Sequence, residues 1–281
     1  TVTGPDGRDE LSGIEWVRFN GPEGELVRLE DLREPVTWRV GEGGDFATVA
    51  EALAQCQDGD TIVLAAGEHA GHFIISQGVS IVGEPGASIV GSGSGVGITI
   101  AASGVSISGV AISGFATGVG FAQTEETLSG LRLADIAITS AGMAIAGLNA
   151  TGRAGKTAAR VDGLEISNVL IADGTYGIDF EVDAASGALF NNVQINGLEI
   201  TDVARKGIYV EALSNSTLRN VTMTDVGQAS TDNVPGSGID INLKYGTYTG
   251  IVIDGFAFTR VGGTSLATEA AIAVKARDDG S

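Results

Sequence analysis

The chain has 281 residues and a net charge of −19, from 16 basic and 35 acidic side chains. That balance argues against nucleic acid and anionic membrane surfaces as partners, and disfavours an acidic polymer unless cations are focused locally. No run reaches the roughly 18 unbroken apolar residues of a membrane helix, so membrane insertion is not expected. With 43 Gly, 5 Pro and 5% aromatics, the composition suits a narrow aliphatic core with many tight corners. The single Cys56 cannot form an internal disulfide and reads as a small buried hydrophobe on a helix.

Residues 1–34 are rich in charge and turn residues and read as a separate flanking segment. Within them, 15–19 and 25–29 alternate apolar and polar residues on either side of 20–24, the pattern of a β-hairpin. Residues 36–40 then read as a strand. Phe46, Val49, Ala50, Leu53 and Ala54 form the stripe of an amphipathic helix, stopped by Asp58-Gly59-Asp60. Residues 61–65 read as an apolar strand.

From residue 72 short strands follow one another, divided by Gly, Ser and Pro. The clearest begin at Gly177, Gly207 and Gly238, reading GIDFEVD, GIYVEAL and GIDINLK. Weaker copies start at Gly118, Gly142 and Ala271. Each alternates apolar and other residues with a period of two, so one face is buried. A strand that recurs about every 30 residues must stack on its own copies to bury that face. The early coils are shorter, with Ile74, Ile98 and Val119 spaced 24 and 21 residues apart. A second series starts at Leu131, Leu164, Leu198, Leu218 and Ile251. Its Asp135, Asn168, Asp202, Asn220, Asp225 and Asp254 sit at bends, where such residues tolerate left-handed backbone. Inserts at 149–162, 183–190 and 227–237 are expected as loops over one face.

The fold expected is therefore all-β: a right-handed parallel β-helix with an N-terminal capping helix. Residues 1–34 would form a hairpin or flanking segment and 35–281 the β-helix. The opening strand, helix and strand of 36–69 resemble the entry of right-handed β-helix proteins acting on polysaccharides. Among these are pectin methylesterases, pectate lyases and mannuronan epimerases. A second segment, TYGIDFE at 175–181, is similar to Tyr-Gly-Phe-Asp-Pro-His of mannuronan C-5 epimerases. Tyr176, Gly177 and Asp179 match; Phe180 and Glu181 stand where that family has Pro and the His expected to be catalytic. Asp9, Leu11, Gly13, Ile14, Glu15, Val17 and Phe19 resemble the stretch that flanks calcium-binding nonapeptide repeats in type I-secreted (RTX) proteins. The repeats themselves are absent.

Aligning the rungs predicts an outward polar strip. One column holds Ala144, Asp179, Tyr209, Asp240 and Ala273. The next holds Ala146, Glu181, Glu211, Asn242 and Lys275, and the third Leu148, Asp183, Leu213, Lys244 and Arg277. Stacked strands lie about 4.8 Å apart, so these groups would adjoin. Of the four lysines, Lys206, Lys244 and Lys275 fall in or beside rungs and Lys156 does not. Paired charges on a solvated ladder are one reading. A groove that moves a proton beside a sugar carboxylate is the other. In it Asp179, Tyr209, Asp240 and Lys244 would be catalytic, and Glu181, Glu211, Asn242, Lys275 and Arg277 would bind substrate. Hydrolysis by Asp179 and Asp240 would require a separation of either about 5–5.5 Å or about 6.5–9.5 Å, against about 9.6 Å for two coils. Asp162, Asp173, Asp179, Asp183, Asp202, Asp225 and Asp232 are oxygen ligands of the kind Ca²⁺ takes, but no ligand loop of fixed spacing accompanies them. His69 and His72, the two histidines, read as turn residues.

The function expected is a β-helix module, secreted or at the cell surface and part of a larger exported chain. It would bind an acidic or neutral polysaccharide or modify it, in the latter case as a lyase or C-5 epimerase on a uronic-acid glycan. The alternative is a non-catalytic stalk or adhesin module.

Overall fold

The computed structural model describes residues 33–184, 186–229, 236–263 and 270–277. It also describes four short strands, Val2–Gly4, Gly7–Asp9, Trp16–Arg18 and Leu26–Arg28. The chain divides into two compact units, Thr1–Val36 and Thr37–Ser281. In the first, Val2–Gly4 pairs antiparallel with Gly7–Asp9, and Trp16–Arg18 with Leu26–Arg28. The second pair is the hairpin that the alternation at 15–19 and 25–29 demands. Most of the 9–19 stretch that resembles the RTX flank lies outside the described residues.

The second unit is a coil of three parallel ladders. The first runs through Thr37–Val40, Thr61–Leu64, Ser80–Gly83 and Ser106–Ser108, then 132–134, 165–167, 194–196, 217–219 and 252–254. The second starts at Gly67–Ala70 and ends at 257–259. The third passes through Phe73–Ile75, Val96–Ile100, Thr117–Phe121, 143–147, 176–180, 206–210, Ser237–Lys244 and Ala270–Arg277. Every strand pairs in parallel with its counterpart one coil away, which defines a parallel β-helix.

The third ladder shows why the coils stack in this register. Phe73, Ile98, Val119, Ile145, Ile178, Ile208, Ile239 and Ile272 are successive partners. All but the last are buried, and each contributes about 1.5–3 kcal/mol of apolar burial. A slip of one residue would turn the whole column outward. Phe73, not Ile74, is the core member: Ile74 pairs with Thr99 and is exposed. Where coils lengthen, the core fills with rings. Phe180 and Phe190 stack with centroids 3.9 Å apart, and Phe121 meets both edge-on.

The glycine that opens each rung has a steric cause. A Cβ on Gly177 would lie 2.4 Å from the Gly207 carbonyl oxygen; one on Gly207 would lie 2.7 Å from the Met223 methyl; one on Gly238 would lie 2.5 Å from the Ala271 oxygen. These positions point inward where adjacent coils come closest. In the coil before Gly177 the equivalent residue is Ala144, not Gly142. The column predicted from Ala144 is therefore two residues out of register: Ala146 is the partner of Asp179. At the bends, Asp135, Asn168, Asp202, Asn220 and Asp225 all have positive φ, between 52° and 56°. Asp254 does not; Gly255 takes the left-handed position there instead, with φ of 67°. Amide ladders tie some corners together, as where Asn220 Nδ2 donates to Asn196 Oδ1 at 2.7 Å and Asn215 Nδ2 to Asn191 Oδ1 at 2.9 Å.

The helix is shorter than the stripe suggests. It spans Val49–Leu53 and opens with a capping box between Thr48 and Glu51. Its buried residues are Val49, Ala52 and Leu53, while Ala50 and Ala54 are exposed. Phe46 precedes it, bridges to Val40 and packs edge-on against Trp38. Cys56 is buried just beyond the helix, not on it. A capping helix across the first coil is not what these five residues build. At the other end, Phe256 and Val274 stand in core columns yet are 53% and 66% exposed.

Candidate functional site

The outward face of the third ladder carries the site. The described rung residues alternate as expected: Ile178, Phe180, Ile208, Val210, Ile239 and Ile241 point into the core, so Asp179, Tyr209 and Asp240 point out. Their partnership is direct, Asp179 with Tyr209 and Tyr209 with Asp240, and Asn242 partners Lys275. The strip is not a solvated surface, however. Asp179 is 4% exposed, Asp240 2%, Asn242 4% and Glu211 0%. Buried carboxyls must be paired, hydrogen-bonded or protonated, and all three solutions occur here.

Asp240 sits between two ammonium groups. Lys206 Nζ donates to Oδ2 at 2.8 Å. Lys275 Nζ lies 2.8 Å from Oδ1 but off the line of a hydrogen bond, so that contact is an ion pair only. Lys206 Nζ also lies 3.7 Å from the centre of the Tyr209 ring, a cation–π contact. Glu211 accepts three partners: Lys244 Nζ at 2.6 Å, the Val182 N–H at 3.0 Å and the Tyr209 hydroxyl. Because Tyr209 gives its one hydrogen to Glu211, it must accept from Asn242 Nδ2 at 3.0 Å. That fixes the Asn242 amide and leaves its Oδ1 enclosed without a partner.

Asp179 has no such ion pair among the described residues. Its hydrogen bond is from the Glu181 N–H at 3.2 Å. Burial first, then the adjacent Glu181 charge, pushes its carboxyl up to about 7, with Glu211 adding and Lys206 opposing. Burial and Glu211 raise Glu181 as well, against the charges of Lys156, Lys244 and Lys206. Burial, then the hydrogen bond to Glu211, raises the Tyr209 phenol far above its usual range, so it stays protonated. Burial and the placing of the ion pairs explain the pattern. Glu211 and Asp240 are ion-paired to lysines, whereas Asp179 is buried without such a pair among the described residues, so burial leaves its carboxyl holding a proton near neutrality.

The structure therefore brings together eight of the nine predicted site residues: Asp179, Glu181, Tyr209, Glu211, Asp240, Asn242, Lys244 and Lys275. Arg277 partners Lys244 in the ladder but is exposed and makes none of these contacts. Asp183 is exposed, while Leu213 is a core residue paired with Phe190; the third predicted column breaks between them. Lys206 is the member that sequence reasoning leaves outside the site. An irregularity between Gly174 and Tyr176 shifts the register, so Lys206 partners Tyr176. Its place immediately before the Gly207 rung is the one signal of this in the sequence. Lys156 falls outside the rungs, yet its charge acts on Glu181.

Calcium does not fit this arrangement. The oxygens of Glu211 and Asp240 are occupied by lysines, and among the described residues no group of three or more His, Cys, Asp or Glu could hold a metal ion. Elsewhere Asp162 accepts from Asn191 and Asn192, and Asp225 is paired with Arg260. His69 and His72 are each bonded to a carbonyl, those of Ala65 and Val96.

No family model matches the sequence, and no curated protein does either. Solved structures with a similar course of chain include pectin methylesterase from Aspergillus niger (11% identity, TM-score 0.44, covering 82% of this chain and 90% of that one). Another is alginate lyase from Paenibacillus sp. (14%, 0.43, 82% and 99%). A third is a tailspike from an Acinetobacter baumannii bacteriophage, a capsular polysaccharide depolymerase (12%, 0.37, 95% and 67%). At these scores the assignment of fold rests on the ladders themselves.

Proposed function

We propose that this chain is a right-handed β-helix module that binds a polysaccharide and modifies it by proton transfer, and that it acts outside the cell as part of a larger exported protein. The right hand is that of nearly all parallel crossovers. Export rests on the RTX-like pattern at 9–19, and the substrate class on the resemblance of 36–69 to polysaccharide-active proteins. The chemistry rests on one observation: Asp179 is a buried outward-facing carboxyl, near 7 and in no ion pair among the described residues. Such a group takes and returns a proton at physiological pH.

The reaction that suits it is abstraction of the proton α to a sugar carboxylate. In β-elimination Asp179 accepts the C5 proton, the C4–O bond breaks, a C4–C5 double bond forms, and the leaving oxygen acquires a proton. In C-5 epimerisation a proton returns to the opposite face. Tyr209, locked as a phenol with its hydrogen on Glu211, positions Glu211 and Asn242 rather than acting as a base. Asp240, held by two lysines, positions rather than transfers, and hydrolysis by Asp179 and Asp240 loses its second carboxyl.

The test is incubation with alginate, pectate and polygalacturonate, with and without Ca²⁺. Absorbance reads unsaturated ends and NMR reads epimerised residues. Turnover that is abolished in Asp179→Asn and kept in Arg132→Ala, on the first ladder, supports the proposal. Unchanged turnover in Asp179→Asn refutes it. A spacer or adhesin remains the second reading. It is favoured by Lys206, Lys244 and Lys275 each being spent on a carboxylate, as in a ladder that only balances its charges; no turnover and no binding on any of the glycans would establish it.

A further inference from the structure

Beside the carboxylate cluster lies a groove of about 690 Å³. We propose that it binds an acidic glycan by gripping a sugar carboxylate between Arg153 and Arg205, an inference that rests on the polysaccharide reading above and names the side chains that hold the polymer's charge.

The floor of the groove is built by the ladder. Val96, Thr117, Met143 and Tyr176 are successive partners on the third ladder, so they follow the solenoid axis for about 14 Å, three steps of 4.8 Å. Lys206 is the next partner. Arg205, which lines the groove, is thus adjacent in sequence to the lysine that holds Asp240. Groove and cluster share a strand.

The wall comes from the insert after Leu148, which contributes Arg153. That loop is pre-organised. Asn149 Oδ1 accepts from the Thr151 N–H, the Thr151 hydroxyl and the Arg153 N–H. Thr157, fully buried, donates to the Leu148 carbonyl at 2.5 Å and anchors the far end.

Charge points to the occupant. Arg39, Arg132, Arg219 and Arg260 are paired with Glu84, Glu165, Asp254 and Asp225, and Arg160 is spent on the Glu125 carbonyl. Among the described residues, Arg153 and Arg205 have no ion pair and no acidic side chain lines the groove. In a chain of net charge −19, two uncompensated guanidinium groups on one concave surface form a local anion site. A guanidinium fork matches a carboxylate. The Tyr176 ring suits the apolar face of a pyranose, and the Ser94 and Thr117 hydroxyls suit its OH groups. The groove thus supplies the focused cations that an acidic polymer needs. It supplies them from arginines, because Lys244 and Lys275 are already engaged within the protein.

The test is calorimetric titration with hexagalacturonate, hexamannuronate and a fully methyl-esterified hexagalacturonate. Wild-type protein should bind a uronate at least tenfold more tightly than the ester. Arg153→Gln with Arg205→Gln should weaken that binding at least tenfold and leave the weak ester binding unchanged. Arg132→Gln should bind as wild type, and circular dichroism should show both variants folded. The proposal is overturned by absence of uronate binding, by equal affinity for acid and ester, by wild-type affinity in the double variant, or by tighter binding of dextran sulfate than of either uronate. The two proposals fail separately. Uronate binding without turnover leaves the groove standing and sinks the chemistry; turnover with an unchanged KM in the double variant does the reverse.

Discussion

Replacing Asp179 with Asn should remove activity and, at neutral pH, stabilise the protein. The carboxyl pKa rises from an ordinary 3.8 to about 7 on folding. Between those values the unfolded chain releases the proton and the folded chain keeps it. Stability therefore falls as pH rises through this window and is level above it. A tenfold change in proton affinity corresponds to about 1.4 kcal/mol, so the rise from 3.8 to about 7 bounds the cost at about 4 kcal/mol. Asparagine retains an oxygen to accept the Glu181 N–H and carries no charge. The variant should match wild type near pH 4 and exceed it by up to about 4 kcal/mol at pH 8. Urea unfolding followed by circular dichroism at several values between pH 4 and 8 measures the difference. If the wild-type midpoint does not fall over that range, or the variant gains nothing at pH 8, then Asp179 is compensated by a partner and is not the buried carboxyl left without an ion pair.

Other outcomes follow from the same geometry. Gly177→Ala places a methyl 2.4 Å from a backbone oxygen that cannot retreat, and should cost on the order of 3 kcal/mol, read as a lower thermal midpoint. Lys206→Met leaves buried Asp240 with Lys275 alone and should destabilise by about 3 kcal/mol, whereas Lys275→Met, at a more exposed position, should cost less in the same assay. Tyr209→Phe deletes the hydrogen bond to Glu211 and strands the Asn242 amide; a loss of about 1–3 kcal/mol is expected in chemical unfolding.

Much of the site could be read because a solenoid is nearly one-dimensional: a residue's neighbour is its counterpart one coil on. Asp179, Tyr209 and Asp240 share a column because Ile178, Ile208 and Ile239 must share one. The same logic fails at Ala144, where Gly142 resembles the start of a rung. A small residue is needed there, and alanine suffices, so the glycine is a misleading marker. Lys206 falls beside a rung in the sequence, but a register irregularity leaves no trace in a period-two pattern, so its partnership with Tyr176 is not legible there. The stripe from Phe46 to Ala54 matches a helix that ends sooner and faces differently, because Phe46 belongs to the bridge with Val40.

Apolar alternation and the repeat length were enough to determine the coil, the inward columns and the left-handed corners, since each depends on a residue and its ladder partner alone. Tertiary structure decided which outward groups are enclosed, which carboxyl is left without a cation, and that Arg153 and Arg205 line one groove. Those outcomes depend on loop courses and on the reach of long side chains between coils. A summed charge and a desolvation penalty exist only once the chain has closed around them.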